Sequence, residues 1–259
     1  MDLDDLRDVS EFFIDSFFME RAYSLQRKSN CHETGNTFTL SYSFLYLSLD
    51  KGKYYEDRAV SFFAFNFLGQ DENMDVKEAI QRRRAYRSLE PVEITVDLIK
   101  DLAGCAQLSA SCNNNQPWRF VFVYEHDILT RMHELFSKGN AWVKNASMYI
   151  AVLSKKDYDC IINERVYHQF DTGMATAFLI LRATELGLVA HPIAGYSPQK
   201  TREVLGIPDD IEVITLVIVG EHSKTINPIL SEKQIVSEKQ RPERFSFEKF
   251  VYLNKYSNK

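Results

Sequence analysis

The chain has 259 residues, of which 45% are hydrophobic and 26% are charged, and its formal net charge is −5 at pH 7. A chain of this length and composition buries a sizeable core in one large or two small domains, which excludes disorder as the main state. Its net negative charge attracts no nucleic acid in general, so any anion must be bound by a few placed basic groups.

The start of the chain and its cysteines predict a cytoplasmic protein. Acidic residues follow Met1, whereas a secretory signal begins with positive charge, and no apolar run approaches the roughly 18 residues of a membrane span. The cysteines are Cys31, Cys105, Cys112 and Cys160, with no C-x-x-C spacing. We therefore expect four packed thiols in a reducing compartment, with neither a disulfide framework nor a metal site.

Residues 1–73 differ in composition from the rest of the chain. They hold 10 of the 18 phenylalanines, and their 7 basic against 13 acidic residues give a balance of −6. The pattern predicts a helix over 3–25, a strand over 37–44 and a second aromatic alternation at 63–67. These elements are too few to close a core, so we expect an N-terminal extension before a domain that spans 74–259. It is either a cap or partner-binding addition, or an accessory or mis-started leader.

From Met74 onward, the hydrophobic periodicity predicts alternating helices and strands. The predicted helices cover residues 75–83, 95–107, 164–186 and 198–206. The predicted strands cover residues 119–124, 147–153, 188–193 and 211–219. The third helix is apolar around most of its circumference, so we expect it to be buried. This order of elements is typical of an α+β or α/β fold.

The first candidate site is the run Arg-Arg-Arg-Ala-Tyr-Arg-Ser at residues 82–88. The sequence contains no G-x-G-x-x-G, G-x-x-x-x-G-K-[ST], G-x-S-x-G or H-E-x-x-H motif, so the common nucleotide-binding, hydrolase and zinc-protease sites are set aside. Planar guanidiniums suit phosphate oxygens, and several of them near one turn make a site for a dianion. A solvated basic face is the alternative.

The second candidate site is the polar loop at residues 109–120, which leads directly into a predicted strand. The side chains of Ser111, Asn114 and Gln116 suit a ligand with many hydroxyls and ring carbonyls, and the alternative is that they cap turns. Pro117 and Trp118 are expected to stiffen the loop and pack in the core.

The third candidate site is His-Pro-Ile-Ala-Gly-Tyr at residues 191–196, where a strand meets a helix. Gly195 there lets the backbone approach a flat ligand closely. A late basic pair, Lys239 and Arg241, adds two cations that bind a phosphate or, alternatively, belong to a solvated tail.

The order of these segments resembles the FMN-dependent nitroreductase family over residues of about 74–252. The family's Arg-Arg-Ser-x-Arg run is matched at 83–87, with Ala85 in place of serine. Its Pro-Ser-x-x-Asn-x-Gln-Pro-Trp-x-Phe loop is matched at 110–120, with Ala110 in place of proline. The Asp-Thr-Gly helix at 171–173, the Gly-Leu to Pro-Ile-x-Gly-Tyr stretch at 187–196 and Leu-Gly-Ile-Pro at 205–208 follow in the family's order.

The resemblance implies a set of cofactor-binding residues for FMN. The phosphate is expected to lie against Arg83, Arg84, Lys239 and Arg241, with Ala85 in the same run and Arg87 at the pyrimidine edge of the flavin. The backbone N–H groups of Ala194 and Gly195 are expected on the flavin N5 side. Ser111, Cys112 and Asn114 are expected to reach the flavin across a dimer interface. No side chain need act as an acid or base, so no catalytic residue is expected.

The resemblance also implies the fold, the assembly and the reaction. The expected fold is α+β, a nitroreductase-like mixed β-sheet flanked by helices, in an intertwined homodimer with two shared FMN sites. NAD(P)H would pass hydride to flavin N5, and a nitroaromatic, quinone or similar flat acceptor would then be reduced in a ping-pong reaction. The alternatives are a flavin-binding module without turnover, and a specialised FMN oxidase or dehalogenase on the same fold.

Overall fold

The computed structural model of the protein describes residues 74–257. The helix and strand pair predicted within residues 1–73 therefore lie outside the described residues. No helix within 74–257 combines the length and apolarity needed to cross a membrane.

Helices surround the sheet and connect its strands in this part of the chain. In chain order they are α1 (Val76–Arg82), α2 (Val96–Gln107), α3 (His126–Met132), α4 (His168–Glu185), α5 (Pro198–Leu205), α6 (Glu232–Lys239) and α7 (Phe247–Phe250). Their starts follow the capping chemistry of the sequence: Asp75, Thr95 and Ser197 each accept a first-turn N–H at the starts of α1, α2 and α5. Gly206 ends α5 in the left-handed conformation, at φ 65°.

The strands form a five-stranded sheet and a separate short hairpin. They are β1 (Leu89–Glu90), β2 (Arg119–Val123), β3 (Met148–Ser154), β4 (Ile161–Ile162), β5 (Arg165–Val166), β6 (Leu188–Ile193) and β7 (Glu212–His222). The long strand β7 pairs antiparallel with β3, β6 and, at its end, β1, and β2 pairs with β3. β4 and β5 form the hairpin.

Side chains of β3 and β7 alternate between two hydrophobic cores, one on each face of the sheet. Tyr149 and Ile218 belong to the core that also contains Trp142. Ile150 and Val217 belong to the core that contains Leu179 of α4. Every residue of β3 is buried, as expected for a strand covered on both faces. The predicted α+β fold, with a sheet flanked by helices, is confirmed.

The third predicted helix begins later than the sequence pattern indicated. α4 starts at His168, because the residues before it form the β4–β5 hairpin. Asn163 and Glu164 turn that hairpin with φ of 48° and 71°, a conformation that no helix contains. The prediction that this helix is buried holds for one face only: Phe170 and Phe178 are 65% and 44% exposed.

Candidate functional site

The arginine run lies in the extended segment between α1 and β1, and a buried glutamate holds it in place. The Glu238 carboxylate, 7% exposed at the end of α6, accepts the N–H of Arg87 at 2.6 Å and of Ser88 at 3.2 Å. Arg84 donates to the Ser237 carbonyl at 2.7 Å. Arg241 donates to the carbonyls of Gln81 and Arg83. Two distant parts of the chain therefore form one basic site.

Four guanidiniums meet at this place, and we call Arg83, Arg84, Arg241 and Arg244 the guanidinium cluster. Burial lowers the pKa of Arg83, and the positive charges of Arg241, Arg244 and Arg84 lower it further. No hydrogen bond or ion pair within residues 74–257 engages the Arg83 guanidinium. A half-buried cation among like charges is unfavourable by itself, so the arrangement suits an anion with several oxygens.

Aromatic rings and a buried histidine pack against the arginine segment. The Tyr86 ring stacks on His222 at 3.6 Å and lies under the Arg84 guanidinium at 4.9 Å. His191 Nδ1 lies 3.0 Å from the Tyr86 carbonyl, and its ring stacks on Trp142. Burial lowers the pKa of His191 to about 4, so this ring is neutral at pH 7.

Arg87 and Ala85 occupy the end of the run nearest β1. Burial lowers the pKa of Arg87, and the negative charge of Glu238 partly offsets that effect. The Arg87 guanidinium donates to the Ala85 carbonyl at 3.3 Å, which curls it back over its own segment. The other N–H groups of the Arg87 guanidinium can therefore bind a ligand next to the guanidinium cluster.

The junction after β6 presents two free backbone donors. Within residues 74–257, the N–H groups of Ala194 and Gly195 donate to no acceptor. The Gly195 carbonyl accepts from Ser137 N and Asn140 Nδ2. A Cβ at Gly195 would lie 2.5 Å from Ser137 Oγ and 2.6 Å from Asn140 Nδ2, so a larger residue would displace these two side chains of the neighbouring turn.

The loop at residues 111–116 is held by its own side chains and by α4. Ser111 Oγ accepts the N–H of Gln116 at 3.0 Å, which is the turn-capping role that the sequence left open. The N–H of Cys112 donates to Asp171 at 2.6 Å. Asn114 is exposed, and Trp118 packs in the core as expected.

The prediction of four packed thiols is wrong for two of the cysteines. Cys112 and Cys160 are joined by a disulfide, with their Cα atoms 6.0 Å apart. The two are 48 residues apart in sequence, and only the tertiary fold brings the β3–β4 connection against the loop. Cys105 is a free thiol, and Cys31 lies outside the described residues.

The structure gathers some of the predicted residues and leaves others apart. Arg83, Arg84 and Arg241 come together as expected. Lys239 is exposed and is not among the charges that act on Arg83, whereas Arg244 is, although the sequence analysis did not include it. Glu238 was also missed, because a glutamate in a polar helix carries no sequence signal of burial. Its position beside Lys239 was the one available hint.

No hydrogen bond or ion pair of the described chain connects loop 111–116 with the arginine segment. These two candidate sites are therefore not joined by a direct polar contact within the described part of one chain. The fold and the guanidinium cluster together define an α+β protein suited to bind an anionic ligand.

Comparisons with known proteins identify the family. A model of the nitroreductase family matches residues 137–221. A putative NADH dehydrogenase/NAD(P)H nitroreductase of Archaeoglobus fulgidus is 32% identical over 150 residues, 54% of this chain and 82% of the relative. A crystal structure of an oxidoreductase containing FMN has a TM-score of 0.60 and 27% identity, and the similarity covers 70% of this chain and 92% of the other. An iodotyrosine deiodinase of Haliscomenobacter hydrossis is 22% identical over 54% of this chain and 76% of its own length.

The chain therefore belongs to the nitroreductase family, as its sequence motifs indicated. It is an oxidoreductase of that family.

Proposed function

We propose that the protein binds FMN, is reduced by NAD(P)H and reduces a flat small-molecule acceptor such as a nitroaromatic or a quinone. The observation that carries this proposal is the half-buried Arg83 guanidinium, which has no partner within residues 74–257 and is surrounded by three further guanidiniums. A flavin mononucleotide carries a phosphate dianion, so the donor set fits the group that the family resemblance implies.

Each part of the site has a role with bound FMN. The guanidinium cluster would hold the phosphate, with Lys239 as an outer charge. Arg87 would lie at the pyrimidine edge, where a cation stabilises negative charge on the ring. The free N–H groups of Ala194 and Gly195 would donate toward the N5 side. When bound, FMN supplies two-electron chemistry by taking hydride from NAD(P)H and delivering it to an acceptor that binds in turn, a ping-pong reaction.

The second half of the site is proposed to come from another copy of the chain. Within residues 74–257, no hydrogen bond or ion pair joins loop 111–116 to the arginine segment, and Phe170 and Phe178 expose apolar surface on α4. A two-fold homodimer would cover that face and present Ser111, Cys112 and Asn114 to the partner's flavin. Residues 1–73 are proposed to be an extension to the FMN-binding domain at 74–259.

The experiment is FMN titration of Arg83→Ala beside the wild type, followed by flavin fluorescence. One charge-assisted contact is worth roughly 1.5 to 3 kcal/mol, so the dissociation constant should rise about tenfold or more. Arg131→Ala, at an exposed position on α3, serves as the matched control and should leave it unchanged. Equal losses in both variants would indicate a diffuse basic surface, and the absence of FMN binding by the wild type would refute the proposal.

Steady-state oxidation of NAD(P)H by the FMN-loaded wild type tests the reaction itself. With a quinone or nitro acceptor, parallel lines in double-reciprocal plots are expected for a ping-pong reaction. Binding of FMN without turnover would indicate a flavin-binding module instead.

A reductive dehalogenase is the second candidate, because a deiodinase is among the relatives of the chain. The same FMN-loaded protein, given a halogenated phenol and reductant, would then release halide. Product analysis separates the two reactions, since a nitroreductase or quinone reductase leaves the halogen on the aromatic ring.

A further inference from the structure

A second cluster of reactive and ionisable groups lies at the loop formed by residues 111–116. We call Cys112, Cys160, Asp159 and Asp171 the disulfide cluster. Sulfur and carboxylate ligand atoms of Cys112, Asp159 and Cys160 lie within 4.8 Å of one another. Asp159 and Asp171 are buried, at 9% and 2% exposure, whereas both cysteines are half-buried and within reach of a small reductant.

The loop backbone is in a conformation that needs external support. Asn113, Asn114 and Gln116 have φ of 49°, 57° and 50°, in the left-handed region that is unfavourable for residues with a side chain. Three such residues among four persist only when the surroundings hold them. The loop is therefore poised to relax when a support is removed.

The disulfide cluster provides most of that support. The Cys112–Cys160 bond ties the loop to the β3–β4 connection. Asp159 accepts the side-chain N–H of Asn115 at 3.2 Å and the backbone N–H of Cys160 at 2.8 Å. Asp171 accepts the N–H of Cys112, so each end of the bond is held by its own buried carboxylate. Breaking the bond would leave the loop with these weaker, non-covalent anchors.

The buried acids also offer acceptors to the reduced form of the pair. Asp159 Oδ2 is buried and accepts no hydrogen bond from the described residues. Burial raises the pKa of Asp171, and the neighbouring Asp159 raises it further. A thiol S–H near the Asp159 carboxylate would be a donor that the disulfide lacks. Two-electron reduction would therefore place two further donors within 4.8 Å of an Asp159 oxygen.

We propose that Cys112 and Cys160 form a reversible redox site that controls the conformation of loop 111–116 and thereby the affinity for FMN. The inference rests on the proposed function, in which that loop contacts the flavin. A dithiol is the reductant by class: its thiolate attacks one sulfur of the bond, and its second thiol resolves the mixed disulfide. Two electrons and two protons end on Cys112 and Cys160, and the reductant leaves as a disulfide.

The first test follows the bond and the loop without FMN. Thiol titration of the unfolded full-length chain should detect two more thiols after dithiothreitol treatment, and mass spectrometry should find the peptides of Cys112 and Cys160 linked before it. Amide hydrogen exchange of residues 111–116 should be faster in the reduced protein and should slow again after oxidation with diamide. Equal exchange in both states would overturn the proposal, whether or not FMN binds.

The second test measures FMN affinity in both redox states. If reduction leaves about a tenth of the loops in the competent conformation, the dissociation constant for FMN should rise about tenfold. Cys160→Ser should match the reduced wild type and ignore dithiothreitol, whereas Cys105→Ser, the free-thiol control, should respond as the wild type does. If Cys160→Ser fails to fold, the reduction and reoxidation of the wild type decide the question.

Two further outcomes would overturn the redox proposal. Thiols at both positions that resist diamide would show that no disulfide forms. Stoichiometric zinc on the purified protein would show a metal site, because two thiolates and a carboxylate are zinc ligands. A wild type that binds no FMN in either state would instead refute the proposed function, while the exchange data would still decide the redox site.

Discussion

The guanidinium cluster and the disulfide cluster are opposites in charge and in the way they are held. Four cations meet at the first, and within residues 74–257 no carboxylate lies at ion-pair distance from Arg83. Backbone carbonyls bind Arg84 and Arg241, and Glu238 holds the backbone of the adjoining Arg87. Two buried acids meet at the second, where no basic residue of the described chain forms an ion pair with them, and a covalent bond closes it. Like charges that stay together at a cost in stability indicate a functional site, because folding alone would disperse them.

Removal of Glu238 should produce the largest effect on the cationic side. Glu238→Ala leaves the buried N–H groups of Arg87 and Ser88 without an acceptor, so the free energy of unfolding should fall by about 2 to 4 kcal/mol. Urea denaturation measures it, and FMN affinity should fall as well. Glu243→Ala, at an exposed position in the same C-terminal region, is the control. If Glu238→Ala is as stable as that control, the carboxylate is not what joins α6 to the arginine segment.

Acidification should weaken the cationic side through His191. Its pKa in the folded protein is about 4, below the ordinary 6.5, so between these two pH values the unfolded chain binds a proton that the folded chain does not bind. The free energy of unfolding therefore keeps its full value above pH 6.5. It falls by roughly 3 kcal/mol as the pH decreases toward 4. Asp171, whose pKa is raised, acts in the opposite direction at the disulfide cluster.

The measurement is the free energy of unfolding between pH 7 and pH 4 for the wild type and His191→Asn. The asparagine keeps a donor toward the Tyr86 carbonyl but does not titrate, so its stability should depend less on pH. His126→Asn, exposed at the start of α3, should keep the wild-type slope. A wild-type slope in His191→Asn would show that other groups cause the acid sensitivity.

The smallest effects are expected for two basic residues near the C-terminus, Arg244 and Lys239. Arg244 acts on Arg83 through its charge, so Arg244→Ala should weaken FMN binding by roughly two- to fivefold at low salt, and added salt should reduce the difference. Lys239→Ala should weaken it less, because Lys239 is exposed and not among the charges that act on Arg83. A larger loss of FMN affinity in Lys239→Ala than in Arg244→Ala would instead support the pair Lys239 and Arg241 that the sequence motif indicated.

Local chemistry explains which elements the sequence predicted well. The cap at Ser197, Pro198 and the left-handed Gly206 bound α5 within one turn, and the short apolar stretch at 188–193 matches β6 residue for residue. The start of α4 was missed, because the Asn163-Glu164 turn uses positive φ without a glycine to mark it. Such a turn is stabilised by the hairpin around it rather than by its own residues.

The sequence by itself determined the family, the α+β order of elements and the arginine run, because these depend on short motifs and local periodicity. Only the tertiary structure decided that Arg244 joins the cluster, that Glu238 is buried against Arg87, and that Cys112 meets Cys160 across 48 residues of chain. The physical reason is that charge fields, burial and disulfide bonds depend on distances in space. Residues remote in sequence reach those distances only when the sheet brings their loops together.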